Sequence, residues 1–198
     1  MADVTISSLP LGTPSGNALL PYSQGGQTLA VAPSGIVAAS PGCLLQIKQA
    51  VKTNTQSFNT ASYNDVTGLT VSITPKALNS SFLIQVQLSV SSTLSQAPYI
   101  RITRNGNPIG IGDAAGSRTL CNAFMYNTTS AYMITIPISY LDTPTYSTLT
   151  PITYKVQVYA NSGPAAGNVG VNYYVSGDYD HADQPRASSS IIVQEIVG

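Results

Sequence analysis

The chain has 198 residues, 43% of them hydrophobic and only 8% charged, and its formal net charge is zero. That length allows one compact domain with a real core plus an appendage. Ordinary globular chains are ~25% charged, so Ser, Thr, Asn and Gln must supply the polar surface here. The thinly spread Lys and Arg form no basic stripe, which argues against nucleic-acid binding, and no apolar run approaches the ~20 residues of a membrane span.

Met1-Ala-Asp-Val-Thr5 lacks the basic-then-apolar pattern of a secretory leader. Residues 1–42 hold Pro10, Pro14, Pro21, Pro33 and Pro41 among glycines, a spacing that rules out a long helix or a central strand. Apolar residues recur between the prolines, as in Leu19-Leu20 and Leu29 with Val31. A flexible linker would not need them, so this segment reads as an extended arm lying on a surface. Cys43 and Cys121 are the only cysteines and, without a leader, are expected to stay buried and reduced.

From residue 43 onward, strand patterns follow one another. Leu45, Ile47 and Val51 mark the first, Ser57 to Asn64 a weaker second, and Leu69, Val71 and Ile73 a short third stopped by Pro75. Phe82, Ile84, Val86, Leu88 and Val90 then alternate with mostly polar residues, the period of a central strand with one buried face. Tyr99 to Arg104 runs into Asn105-Gly106, a hairpin signal because both turn positions need positive φ. Strand patterns resume over Arg118 to Tyr126 and Tyr132 to Tyr140, where Pro137 marks an edge or a bulge. Ile152 to Tyr159, Val169 to Val175 and Ile191 to Val197 complete the series, with a polar loop at 176–188. About ten short strands and no credible helix predict an all-β single β-sandwich, jelly-roll-like, over residues 43–198.

Catalytic and metal chemistry find little footing. Gly110 to Gly116 has the wrong spacing for a phosphate cradle and no helical pattern after it, so it reads as a structural loop that Asp113 pairing with Arg101, Arg104 or Arg118 would lock. His181 is the only histidine, and no Gly-x-Ser-x-Gly elbow accompanies it for a hydrolase. Asp178, Asp180 and Asp183 lack the glycine and terminal glutamate of a calcium loop. The expectation is therefore no enzyme, no metal and no cofactor. Tyrosine is the dominant aromatic, twelve against three Phe, and clusters in the second half. Such rings give amphipathic contact surface. Tyr126, Tyr132 and Tyr179, with Asp180 and His181, form the candidate glycan or partner surface.

Three stretches together resemble a known group. Ser8-Leu-Pro-Leu-Gly-Thr-Pro-Ser-Gly-Asn-Ala-Leu-Leu-Pro-Tyr-Ser-Gln-Gly-Gly-Gln-Thr28 is similar to the N-terminal segment of tailed-bacteriophage virion proteins, tail fibres and other appendages. Arg104 to Arg118 resembles a loop of a phage appendage head domain. Ser139-Tyr-Leu-Asp-Thr-Pro144, Tyr154-Lys-Val-Gln157 and Arg186-Ala-Ser-Ser-Ser-Ile191 to Glu195-Ile196 continue the pattern. The resemblance implies a homotrimeric, non-enzymatic virion protein, assembled in the host cytoplasm and displayed on the virion surface. Residues 1–42 would bind the major capsid protein or other virion proteins through Leu9, Leu11, Leu19, Leu20, Tyr22, Leu29 and Val31, and the head would face outward. The chain has no long shaft, collagen-like tract or heptads between arm and head. A capsid decoration or cement protein therefore fits best, and a tail-fibre head that adheres to a host-surface glycan is the alternative.

Overall fold

The computed structural model describes residues 20–24, 27–31, 41–93, 97–126, 132–160, 169–176 and 179–198. The chain divides into two compact units, residues 1–43 and 44–198.

In the first unit β1 (Leu20–Gln24) and β2 (Gln27–Val31) form a two-stranded antiparallel ribbon. Its register sets Leu20 opposite Val31 and Tyr22 opposite Leu29, so four of the seven expected anchoring residues are cross-strand partners. Pro21 is accommodated because both strands of a two-stranded ribbon are edges. Leu9, Leu11 and Leu19 lie outside the described residues.

The second unit is all-β among its described residues. Its strands are β3 (Leu44–Lys52), β4 (Gln56–Phe58), β5 (Tyr63–Ile73), β6 (Ser81–Ser92), β7 (Pro98–Arg104), β8 (Asn107–Ile109), β9 (Ala123–Phe124), β10 (Met133–Asp142), β11 (Ile152–Ala160), β12 (Val169–Val171) and β13 (Ser189–Ile196). Every pairing is antiparallel. One edge of β6 carries β10; the other carries β13 and, beyond it, β12, which in turn pair with β3 and β4. The second sheet runs β5-β11-β7-β8, with β9 beside β8 on the same edge of β7. If β4 continues β3, β9 continues β8 and β13 continues β12, eight strands remain, ordered 1-8-3-6 in one sheet and 2-7-4-5 in the other. That is a jelly roll.

The core lies between the sheets. Phe82, Ile84, Val86, Leu88 and Val90 of β6 are at most 1% exposed and face Ile100, Ile102, Tyr154, Val156 and Val158 of the opposite sheet. Alternation read from the sequence therefore located the central strand and its buried face. At one end a polar cluster crosses the core. Buried Asp142 accepts from the Arg104 guanidinium at 2.6 Å and from the Tyr154 hydroxyl at 2.7 Å. Burial, with that carboxylate behind it, pushes the Tyr154 phenol well above its ordinary value. Buried Glu195 accepts from the backbone N–H groups of Lys76 and Ala77 and from the Ser80 hydroxyl, pinning the β5–β6 connection.

Several expected boundaries move. The second and third expected strands merge differently: β4 stops at Phe58, and β5 runs unbroken from Tyr63 to Ile73 through Gly68, whose φ of 89° sits where the β5–β11 register shifts. The Arg118–Tyr126 strand shrinks to Ala123–Phe124. The Asn122 side chain bonds Ile102 N–H and the Ile109 and Gly110 carbonyls, which holds the chain as a loop. The Val169–Val175 strand ends at Val171 because Asn172 turns the chain at φ 65°. Asp113 does not lock the glycine loop: Arg104 pairs with Asp142, Arg101 bonds Gln157, and Arg118 bonds the Ala115 carbonyl. Both cysteines are unpaired thiols, only half-buried where full burial was expected.

Candidate functional site

Two features of the second unit have the makings of contact surface. The first is the outer face of the β3-β13-β6-β10 sheet. Period two sends Ile47, Gln49 and Val51 of β3, Ser190, Ile192 and Gln194 of β13, Leu83, Gln85 and Gln87 of β6, and Thr135, Pro137, Ser139 and Leu141 of β10 to this side. None of these is charged. Ile47, Val51 and Leu141 are each about half exposed. Gln194 Nε2 donates to Gln85 Oε1 at 2.9 Å across the middle.

The outer face of the other sheet is the opposite in character. Arg101 donates to Gln157, while Gln157 and Lys155 both donate to Asp65 at 2.7 Å. These bonds hold the Asp65 carboxyl below its ordinary value, with Lys155 the largest cause. Beside this ladder runs an aromatic row across four strands, Tyr63, Tyr159, Tyr99 and Phe124, with ring centroids 5.4, 5.7 and 6.1 Å apart in turn. Arg101 lies 3.8 Å over the Tyr63 ring, and the Tyr63 hydroxyl donates to the Leu120 carbonyl. The rings meet tilted or edge-on at Tyr159, so the row zips strands together more than it offers a flat platform.

The second feature is a cleft of about 450 Å³ at the far end of the uncharged face, lined by Tyr132, Met133, Tyr174, His181, Asp183, Gln184 and Pro185. Its position follows from local chemistry. Outward-facing Ser89 and Ser91 are buried because other chain lies over them. The Ser91 hydroxyl donates to the Tyr173 carbonyl and accepts from Val175 N–H, and the Ser89 hydroxyl donates to the Ser188 carbonyl. Gly170 permits this crossing: a Cβ there would lie 2.8 Å from the Tyr173 ring and 2.9 Å from Ser91 Oγ. The 179–185 loop braces itself. His181 N–H donates to the Tyr179 carbonyl, Gln184 N–H to the His181 carbonyl, and Tyr179 N–H to Gln184 Oε1. Asp183 N–H lies 3.3 Å from His181 Nδ1, with the Asp183 carboxylate 3.4 Å from the same nitrogen.

Of the residues expected from sequence, the structure brings Tyr132 and His181 together in this cleft. Tyr179 and Asp180 are exposed on the same loop but do not line it. Tyr126 sits apart, just after β9, beside Met125 whose N–H bonds the Pro98 carbonyl. Sequence reasoning missed Tyr174 and Gln184 as cleft residues, because the fold alone joins β10, the β12 exit and the loop before β13. The uncharged sheet face was missed too, although the all-amide and hydroxyl polar side of Phe82–Val90 was its visible signal. Asp178 lies outside the described residues, and among the described residues no cluster of three or more His, Cys, Asp or Glu is placed to hold a metal.

No protein-family model matches the chain, and no curated protein is significantly similar to it.

Proposed function

We propose that the chain is a non-enzymatic structural protein of a tailed-phage virion. In this reading it is a homotrimeric capsid decoration or cement protein, held by residues 1–42 and displaying its jelly roll outward. The observation that carries the reading is the uncharged outer face of the β3-β13-β6-β10 sheet. A face that packs against its own copies must avoid like charges, and amides and hydroxyls can both donate and accept whatever the rotation between copies. Half-exposed Ile47, Val51 and Leu141 add apolar contact to it. The eight-strand jelly roll is an architecture used by viral capsid and lectin domains, which is compatible with this role without assigning it. The number three comes from the resemblance of the arm and loop motifs.

Light scattering during size exclusion tests the assembly. Full-length protein is expected near three times 20.6 kDa. Gln87→Lys, which places a charge at the centre of the face, is expected to give the single-chain mass with an unchanged far-ultraviolet circular dichroism spectrum. A wild-type chain that runs as a monomer, or a variant that stays trimeric, would sink the reading of this face. Antibody-gold labelling of intact particles tests the placement. Label over the capsid supports decoration, whereas label confined to the tail tip supports the fibre alternative.

A further inference from the structure

We infer that the cleft between Tyr132, Tyr174 and the 179–185 loop is a binding site for a neutral saccharide. Two tyrosines at one opening present the apolar faces that sugar C–H groups pack against, each with a polar tip. Among the described residues, the Tyr132 and Tyr174 hydroxyls, His181 Nε2 and Gln184 Nε2 form no hydrogen bond within the protein, so all four are open to ligand hydroxyls. His181 Nδ1 accepts from the Asp183 N–H, which leaves Nε2 as the ring's donor. Gln184 Oε1 is taken by Tyr179 N–H, which likewise turns its amide into a donor. The exposed Asp183 carboxylate supplies the acceptor, with 88% of its side-chain surface free.

Charge and backbone narrow the ligand class. Among the described residues no Lys or Arg lines the cleft and the Asp183 carboxylate does, so phosphate, sulfate and nucleic acid find no counter-charge there. A peptide that bound by strand addition to the loop would need free backbone donors there. Those of Tyr179, His181, Asp183 and Gln184 are already used inside the loop. A ligand read by side chains alone, alternating apolar faces with hydroxyls, is what remains. The volume of about 450 Å³ lies in the range of small-ligand sites and suits one or two sugar rings. The loop bonds fix the site before a ligand arrives, which lowers the entropy cost of binding.

The inference does not depend on where the protein sits in a particle, so purified full-length chain suffices. Saturation-transfer NMR with galactose, mannose, rhamnose, N-acetylglucosamine and the anionic sialic acid is the experiment. Transfer to ring C–H protons of at least one neutral sugar is expected, with none to sialic acid. Tyr132→Ala and His181→Ala should each weaken binding about tenfold or more, as for a central contact residue. Tyr126→Ala, which lies outside the cleft, should leave it intact, with thermal melting confirming that every variant is folded. No transfer to any neutral sugar, or transfer unaffected by Tyr132→Ala, would overturn the assignment.

Discussion

Asn172 bonds several parts of the fold at once. Its N–H donates to Ser89, its Nδ2 to the Lys52 and Asn54 carbonyls, its Oδ1 accepts from the Ser189 hydroxyl, and its carbonyl accepts from Ala187 N–H. One fully buried residue in the left-handed region, through its backbone and its side chain, thus ties β3, β6, β12 and β13 together. Asn tolerates that φ where most residues do not. Asn172→Ala should remove the side-chain donor to two carbonyls and the acceptor of the Ser189 hydroxyl and strain the backbone, costing about 3 kcal/mol in urea denaturation. A loss under about 0.5 kcal/mol would show that water repairs the junction.

Tyr63 gives a pH signature at the same scale. Burial first, with the Cys121 thiol, raises its phenol to about 12, and Arg101 over the ring offsets only part of this. A raised folded value favours the neutral phenol, so the associated stability is whole below the unfolded value of ~10 and is lost as pH climbs toward about 12. Tyr154 acts in the same direction. Stability should therefore fall between about pH 10 and about pH 12, and Tyr63→Phe should flatten part of that fall. An identical slope in wild type and variant would assign the effect elsewhere.

At the level of the element, β10 shows how an exposed edge is kept from recruiting strands. Among the described residues it pairs with β6 alone, and Pro137 stands in the middle of its ten residues opposite Gln87. Proline fits an edge strand where its missing N–H would have pointed away from the partner. Pro137→Thr restores that donor beside exposed Ile134 and Leu141. Turbidity at equal concentration should rise faster than for wild type, and unchanged turbidity would mean that the proline guards nothing. The edge status of Pro137 was legible in the sequence, as were β6 and the Asn105-Gly106 turn, whose φ values are 48° and 86°. Period two reveals which face is buried, and Asn-Gly reveals a handed turn. Neither reveals the neighbour. The merging of β5 across Gly68, the late start after Asn122 and the early end at Asn172 were hidden because side chains bonding backbone, or one glycine, outweighed local strand preference. The cleft was half-legible: tyrosine richness singled out Tyr132, but only topology places Tyr174 and Gln184 beside it.

Across the jelly roll, charge is divided unequally between the two outer sheet faces. The β5-β11-β7 face carries Asp65, Lys155 and Arg101 in one bonded ladder, and the opposite outer face carries none among its described outward residues. A chain of zero net charge is thereby made two-sided, one side suited to water and the other to close packing.

The place of β13 also has a consequence in time. The last strand in chain order lies between β3, the first strand of the jelly roll, and β6. As the polypeptide leaves the ribosome, the slot between them stays open until Ser189–Ile196 emerges, with one edge of β6 unpaired. Closure then joins residues such as Ile47 and Gln194, which are far apart along the chain, and such long-range pairing is slow. Until that strand arrives, the nascent chain is at its most vulnerable to aggregation and to proteases.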